Sequence, residues 1–185
     1  MRSTYFTGYF PLISIILFSL SYAIYSEGQA MEVLKTMGLY GGLLEFFSDT
    51  GIKLTLLFIL FLLFFMMFSA LKLIADTLLQ ISLLLFSKEI SGDSLKSVRV
   101  GSIIYLIGSG VSIFCNISFA AITLVFFITS MIAFTYFIYK ASAYLSSAGL
   151  MGMIFFHTFV WCSLIAVVGY SVLKLYNSLL ASLPI

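Results

Sequence analysis

The chain has 185 residues, of which 62% are hydrophobic and 9% charged, with a formal net charge of +2. Soluble domains carry about 25% charged residues, so this composition excludes a water-soluble globular domain. A net charge this small, without a basic cluster, also excludes a nucleic-acid footprint, and the length leaves room for one helical bundle and no separate soluble domain.

Four uncharged stretches, residues 3–26, 54–71, 100–139 and 141–173, dominate the sequence. A bilayer core of about 30 Å needs roughly 20 apolar residues per spanning helix. The first stretch predicts a span over about 8–26. Arg2, the apolar run 12–20 and the small residues Gly28 and Ala30 also fit a cleavable signal peptide. Tyr5, Phe6, Tyr9, Phe10 and Pro11 are an unusual start for one, and the full spanning length favours a retained helix. The segment 27–53 mixes four acids with Lys35 and Lys53. A sixth span would follow if 31–47 entered the membrane, but Glu32, Lys35 and Glu45 oppose a full crossing.

The second stretch predicts a span over 52–71 with an amphipathic extension to 87. From 54 to 87 only Lys72 and Asp76 are charged. One straight helix over that length would be about 50 Å, too long for a single span without strong tilt. Lys72, Asp76 and Gln80 fall at i, i+4 and i+8, a polar stripe among leucines that suits an interfacial or bundle-facing helix.

The stretch 100–139 would make a helix of about 60 Å, twice the apolar thickness. It must fold, and Cys115-Asn116-Ile117-Ser118 supplies the turn chemistry, giving spans over about 97–115 and 119–139. A last span is expected over 149–173, joined through Ser146, Ser147, Ala148 and Gly149. The expectation is an all-α, polytopic transmembrane bundle of about five spans in one domain over 1–185. Tyrosines near the span ends, such as Tyr22, Tyr25, Tyr139 and Tyr144, fit an interfacial belt.

Orientation follows from Lys and Arg in short loops. Arg2, Lys72, Lys88, Lys96, Arg99 and Lys140 fall on one side, and Lys35, Lys53 and Lys174 on the other. The amino terminus reads as cytoplasmic and the carboxyl terminus as outside.

The opening Arg2-Ser3-Thr4-Tyr5-Phe6-Thr7-Gly8-Tyr9-Phe10-Pro11-Leu12-Ile13-Ser14 resembles the start of the YufK-like small membrane proteins of Gram-positive bacteria, and the length fits theirs. The resemblance implies a multi-pass protein of a bacterial plasma membrane. It brings no activity or catalytic residues. It also implies that the sequon Asn116-Ile117-Ser118 is not glycosylated.

Lys72 and Asp76 are the first candidates for chemistry. Ionisable groups at membrane depth are costly and usually face a bundle interior or wet cavity. Asp76 could carry a proton or cation with Lys72 as its partner, and Gln80 would line the same path. If the span ends near Leu71, the two are a surface pair. His157, the lone histidine, shares a face with Trp161 and could relay protons; a neutral histidine hydrogen-bonded to a neighbouring helix is the simpler reading. Cys162, five residues on, is poorly aligned for joint ligation, and zinc wants three or four ligands, so no metal is expected. Cys115 and Cys162 read as small apolar packing residues. Asn116 reads as a turn residue. Gly108 and Ser112, and Ala148 and Gly152, form small-xxx-small pairs that let helices approach closely in lipid.

Metalloprotease, phosphate-loop, dinucleotide and nucleophile-elbow motifs are absent, so neither an enzyme nor a cofactor is expected. The favoured function is a transport-related or carrier-accessory membrane component. Its rival is a non-conducting structural or regulatory protein that packs against another copy or a membrane partner. Lys88, Lys96 and Arg99 could also hold anionic lipid, although Glu89 and Asp93 dilute that patch.

Overall fold

The structure is a computed structural model and describes residues 8–86 and 101–182. These residues form α1 (Phe10–Thr36), α2 (Leu39–Leu44), α3 (Asp49–Phe86), α4 (Ser102–Phe114), α5 (Phe119–Ala141) and α6 (Ser147–Ser182). Four helical segments, Phe10–Thr36, Asp49–Phe86, Phe119–Tyr144 and Ser147–Ser178, are long and apolar enough to cross a membrane. The chain is an all-α membrane protein. The apolar α4 is shorter, at 13 residues. Lys88, Lys96 and Arg99, and the loop patch they were read into, lie outside the described residues, as does Arg2.

Local chemistry sets the helix ends. Pro11 sits in the first turn of α1, where its missing N–H costs nothing. After α1, Gly38 adopts φ +73°, the left-handed conformation that turns a chain out of a helix and that glycine takes without strain. One device starts the next three long helices. Ser48, Ser118 and Ser146 accept hydrogen bonds from the backbone N–H groups of Gly51, Ala121 and Gly149 at 3.1, 3.0 and 3.2 Å. Each serine thereby satisfies one N–H that the helix leaves unpaired.

The chain divides into two compact units, Met1–Asp76 with Ser91–Lys140, and Thr77–Ile90 with Ala141–Ile185. α3 runs from Asp49 to Phe86 as one helix, without a break at Leu71. In the first unit, Phe18 and Tyr22 of α1, Phe68 of α3 and Ile122 of α5 form the core, with Phe64, Leu71, Tyr105 and Phe126 packed around it. Tyr22 meets Phe64 and Phe119 with ring centroids 5.2 Å apart. Phe18 meets Phe68 at 5.8 Å and Phe126 at 5.3 Å. Going down α1 from Tyr22 to Phe18 goes up both α3 and α5, so both run antiparallel to α1. The Tyr22 hydroxyl donates to Thr123 at 3.1 Å; a tyrosine ring in an apolar core needs such a partner.

In the second unit, the Phe86 ring packs against Phe156 with centroids 6.3 Å apart. It also lies over Gly152, where an added Cβ would come within 2.6 Å of the ring. Met153 and His157 are buried on the same helix.

Candidate functional site

Lys72 and Asp76 sit one turn apart on α3, and the Lys72 ammonium donates to the Asp76 carboxylate. Four-residue steps keep Phe64, Phe68, Lys72 and Asp76 close to one helix face. The pair therefore follows the aromatic core along the helix. Its side chains are 35% and 47% exposed, so it stands at the edge of the packed face. Tyr105 of α4, partly buried in the same core, lies within reach of Ser130 of α5 and feels the Asp76 charge. Gln80 is exposed, one turn beyond Asp76, and falls in the second unit.

His157 is in the second unit as well. Its Nδ1 lies 3.1 Å from the Met153 carbonyl one turn back, and its ring meets Phe156 edge-on. An imidazole with a proton on Nδ1 satisfies that carbonyl, which belongs to the histidine's own helix and not to a neighbouring one. Cys162 is exposed, and both cysteines are free thiols. Among the described residues no group of three His, Cys, Asp or Glu could hold a metal ion.

The predicted small-residue face of α4 is buried at Gly108, Ser109 and Ser112. The Ser109 and Ser112 hydroxyls donate to carbonyls of their own helix, Leu106 at 2.8 Å and Ser109 at 2.7 Å. The face thereby packs without stranding polar atoms. Gly108 lies against Thr129 of α5, whose Oγ1 would be 2.1 Å from an added Cβ. In the pair Ala148–Gly152, Gly152 makes its contact with Phe86, but Ala148 is exposed. Gly149 is the second close approach, against the Phe86 carbonyl oxygen. Asn116 occupies the turn between α4 and α5, with its Oδ1 buried and unpaired; Ser21 Oγ on α1 is likewise buried and unpaired.

Sequence reasoning passed over three features. Tyr105 and Ser130 carried no signal in one dimension. Ser14, Ser19 and Ser21 are buried small residues of α1, and their clustering was a readable sign. The third is a polar cluster at the α1–α3 connection. Lys53 pairs with Asp49 at 2.8 Å, the Tyr40 hydroxyl donates to Asp49, and Lys35 lies over the Tyr40 ring at 5.2 Å. Its hydrogen bond to Asp49 holds the Tyr40 proton on, raising that hydroxyl above the usual tyrosine range.

The chain matches a family of unknown function (DUF5366) over residues 27–184. The chain belongs to this family. It is also 40% identical, over the whole length of both chains, to the uncharacterised membrane protein YufK of Bacillus subtilis (strain 168). That agrees with the resemblance read from the opening segment and with an integral membrane protein. No solved structure matches the chain.

Proposed function

We propose that the chain is a small transport-related component of the bacterial plasma membrane. It either moves a small ion or solute itself or assists a larger carrier, and has no catalytic activity of its own. One observation carries this reading: a formed Lys72–Asp76 ion pair on a helix whose other residues from 54 to 86 are uncharged. Ionisable groups held in such surroundings usually mark an ion or proton pathway. Asp76 is the charge-bearing element and Lys72 its counter-charge. With Lys72 inside the helix, five basic residues (Arg2, Lys88, Lys96, Arg99 and Lys140) against three (Lys35, Lys53 and Lys174) still favour a cytoplasmic amino terminus and an outer carboxyl terminus.

A second reading has its own support. The core behind the pair is closely packed aromatic and aliphatic side chains, as in a structural protein that packs against another copy or a membrane partner. Ion flux through purified protein in liposomes separates the two, using a pH-sensitive dye and a panel of monovalent cations. The transport reading expects flux in wild type and its loss in Asp76→Asn. Folded wild type that passes nothing would establish the packing reading instead.

A further inference from the structure

The depth of the Lys72–Asp76 pair can be read from its neighbours in the first unit. α3 and α5 both run antiparallel to α1 and therefore parallel to each other. Phe68 and Phe126 are in ring contact, with centroids 5.1 Å apart. Four residues on from each, Lys72 stands level with Ser130. At 1.5 Å per residue, Lys140 lies about 15 Å further along α5, and Phe119 about 16 Å back. Those two positions bound the uncharged length of α5, and together they match an apolar core of about 30 Å. α1 agrees. Phe18 pairs with Phe126, which sets Ser14 level with Ser130, and the next charge along α1 is Glu27, about 20 Å away. α4 agrees as well, because Gly108 sits against Thr129, near the middle of the stretch between Gly101 and Asn116. Only the composition of α3 itself favours a span over 52–71. That span would sink Glu27 and the Cys115–Ser118 turn into the layer.

We infer that Lys72 and Asp76 lie near the middle of the apolar layer and that, with the hydroxyls of Tyr105 and Ser130, they form a proton-binding site there. The depth stands on packing alone; the proton assignment rests on the transport reading above. One carboxylate already neutralised by an ammonium is a poor site for a metal cation, which wants several oxygen ligands. It is a good site for a proton, because hydroxyls can accept one proton and release another. Tyr105 is the titratable group at this depth on a neighbouring helix: it packs on the same core, and, three residues before Gly108, which sits against Thr129, it falls between the levels of Lys72 and Asp76. A proton reaching the Asp76 carboxylate through Tyr105 and Ser130 makes the neutral acid. Lys72, one turn nearer the amino-terminal end of α3, then gives up a proton on its side and becomes the neutral amine. Transfer from acid to amine restores the ion pair, with one proton moved along the helix.

Depth and ligand are tested separately. In a background with Cys115→Ser and Cys162→Ser, nitroxide labels at Ile59→Cys, Leu63→Cys, Met66→Cys and Leu73→Cys probe exposed positions on α3. The ratio of oxygen to nickel-chelate accessibility reports depth. The expected order has position 73 deepest and 59 shallowest; a maximum at 63 with 73 at headgroup level would overturn the placement. In proteoliposomes, Tyr105→Phe and Ser130→Ala should each cut proton flux at least tenfold, with Gly110→Ala unchanged. Sodium or potassium flux without proton flux would overturn the proton assignment and leave the transport reading standing. No flux of any ion through folded wild type would remove both, while the depth result stands on its own labels.

Discussion

At the scale of single residues, Gly108 shows what close helix packing demands. An added Cβ would fall 2.1 Å from Thr129 Oγ1 and 2.5 Å from its Cγ2. Thr129 cannot swing away freely, because its hydroxyl donates to the Val125 carbonyl at 2.7 Å and β-branched side chains have few rotamers in a helix. Gly108→Ala should therefore destabilise the fold by about 1–3 kcal/mol, the range for overpacking a filled interface. Gly110→Ala has nothing within 4 Å of the new atom and should be neutral or slightly stabilising through helix propensity. Thr129→Ala should relieve much of the Gly108→Ala defect in the double variant. Unfolding in mixed detergent micelles measures all three, and equal losses at 108 and 110 would contradict the contact. Gly108 was legible in the sequence because small residues four apart are a packing sign. Thr129 was not, since a spacing pattern on one helix does not name what lies across from it. The same limit hid Tyr105 and Ser130 at the level of the ion pair.

At the scale of elements, turn chemistry was legible and helix length was not. Asn116 and Ser118 mark the break between α4 and α5, and Ser118 then caps α5. Ser118→Ala should cost about 1 kcal/mol, the usual loss of an N-cap. It should also raise hydrogen exchange in the first turn of α5. Gly38 is open on all sides but held at φ +73°, so its constraint is backbone conformation and not space. Gly38→Ala should cost about 1–2 kcal/mol from the left-handed strain, with Gly41→Ala, equally open, as the control without it. Equal effects at 38 and 41 in thermal unfolding would count against the turn. For α3 the sequence offered no stop signal between Asp49 and Phe86. Three polar residues at four-residue spacing leave a helix uninterrupted, so α3 runs on past the 52–71 stretch that its composition favours. The placement we infer draws instead on α1, α4 and α5, whose flanking charges and turns are sharper.

At the scale of the whole chain, the number of crossings decides which side each terminus occupies. Five crossings put the termini on opposite faces, and four or six put them on the same face. α4 is the element in question, because its described length of 13 residues covers about 20 Å of a core of about 30 Å. Its direction argues for a crossing. Gly108 against Thr129 and Tyr105 beside Ser130 make it antiparallel to α5, so α4 and α1 climb the same way. The turn at Asn116 then falls about 12 Å beyond Gly108, on the side of the layer where α1 reaches Glu27. A helix that stayed on the inner surface could not bring Gly108 level with the middle of α5. Reporter fusions that are active only outside the membrane should thus score positive after Asn116 and after Pro184, and negative after Lys140. A fluorescent reporter that matures only in the cytoplasm should light up at the amino terminus. An inactive fusion after Asn116 would mean that α4 does not cross. It would put the termini on one face and withdraw the α4 support for the depth of Asp76.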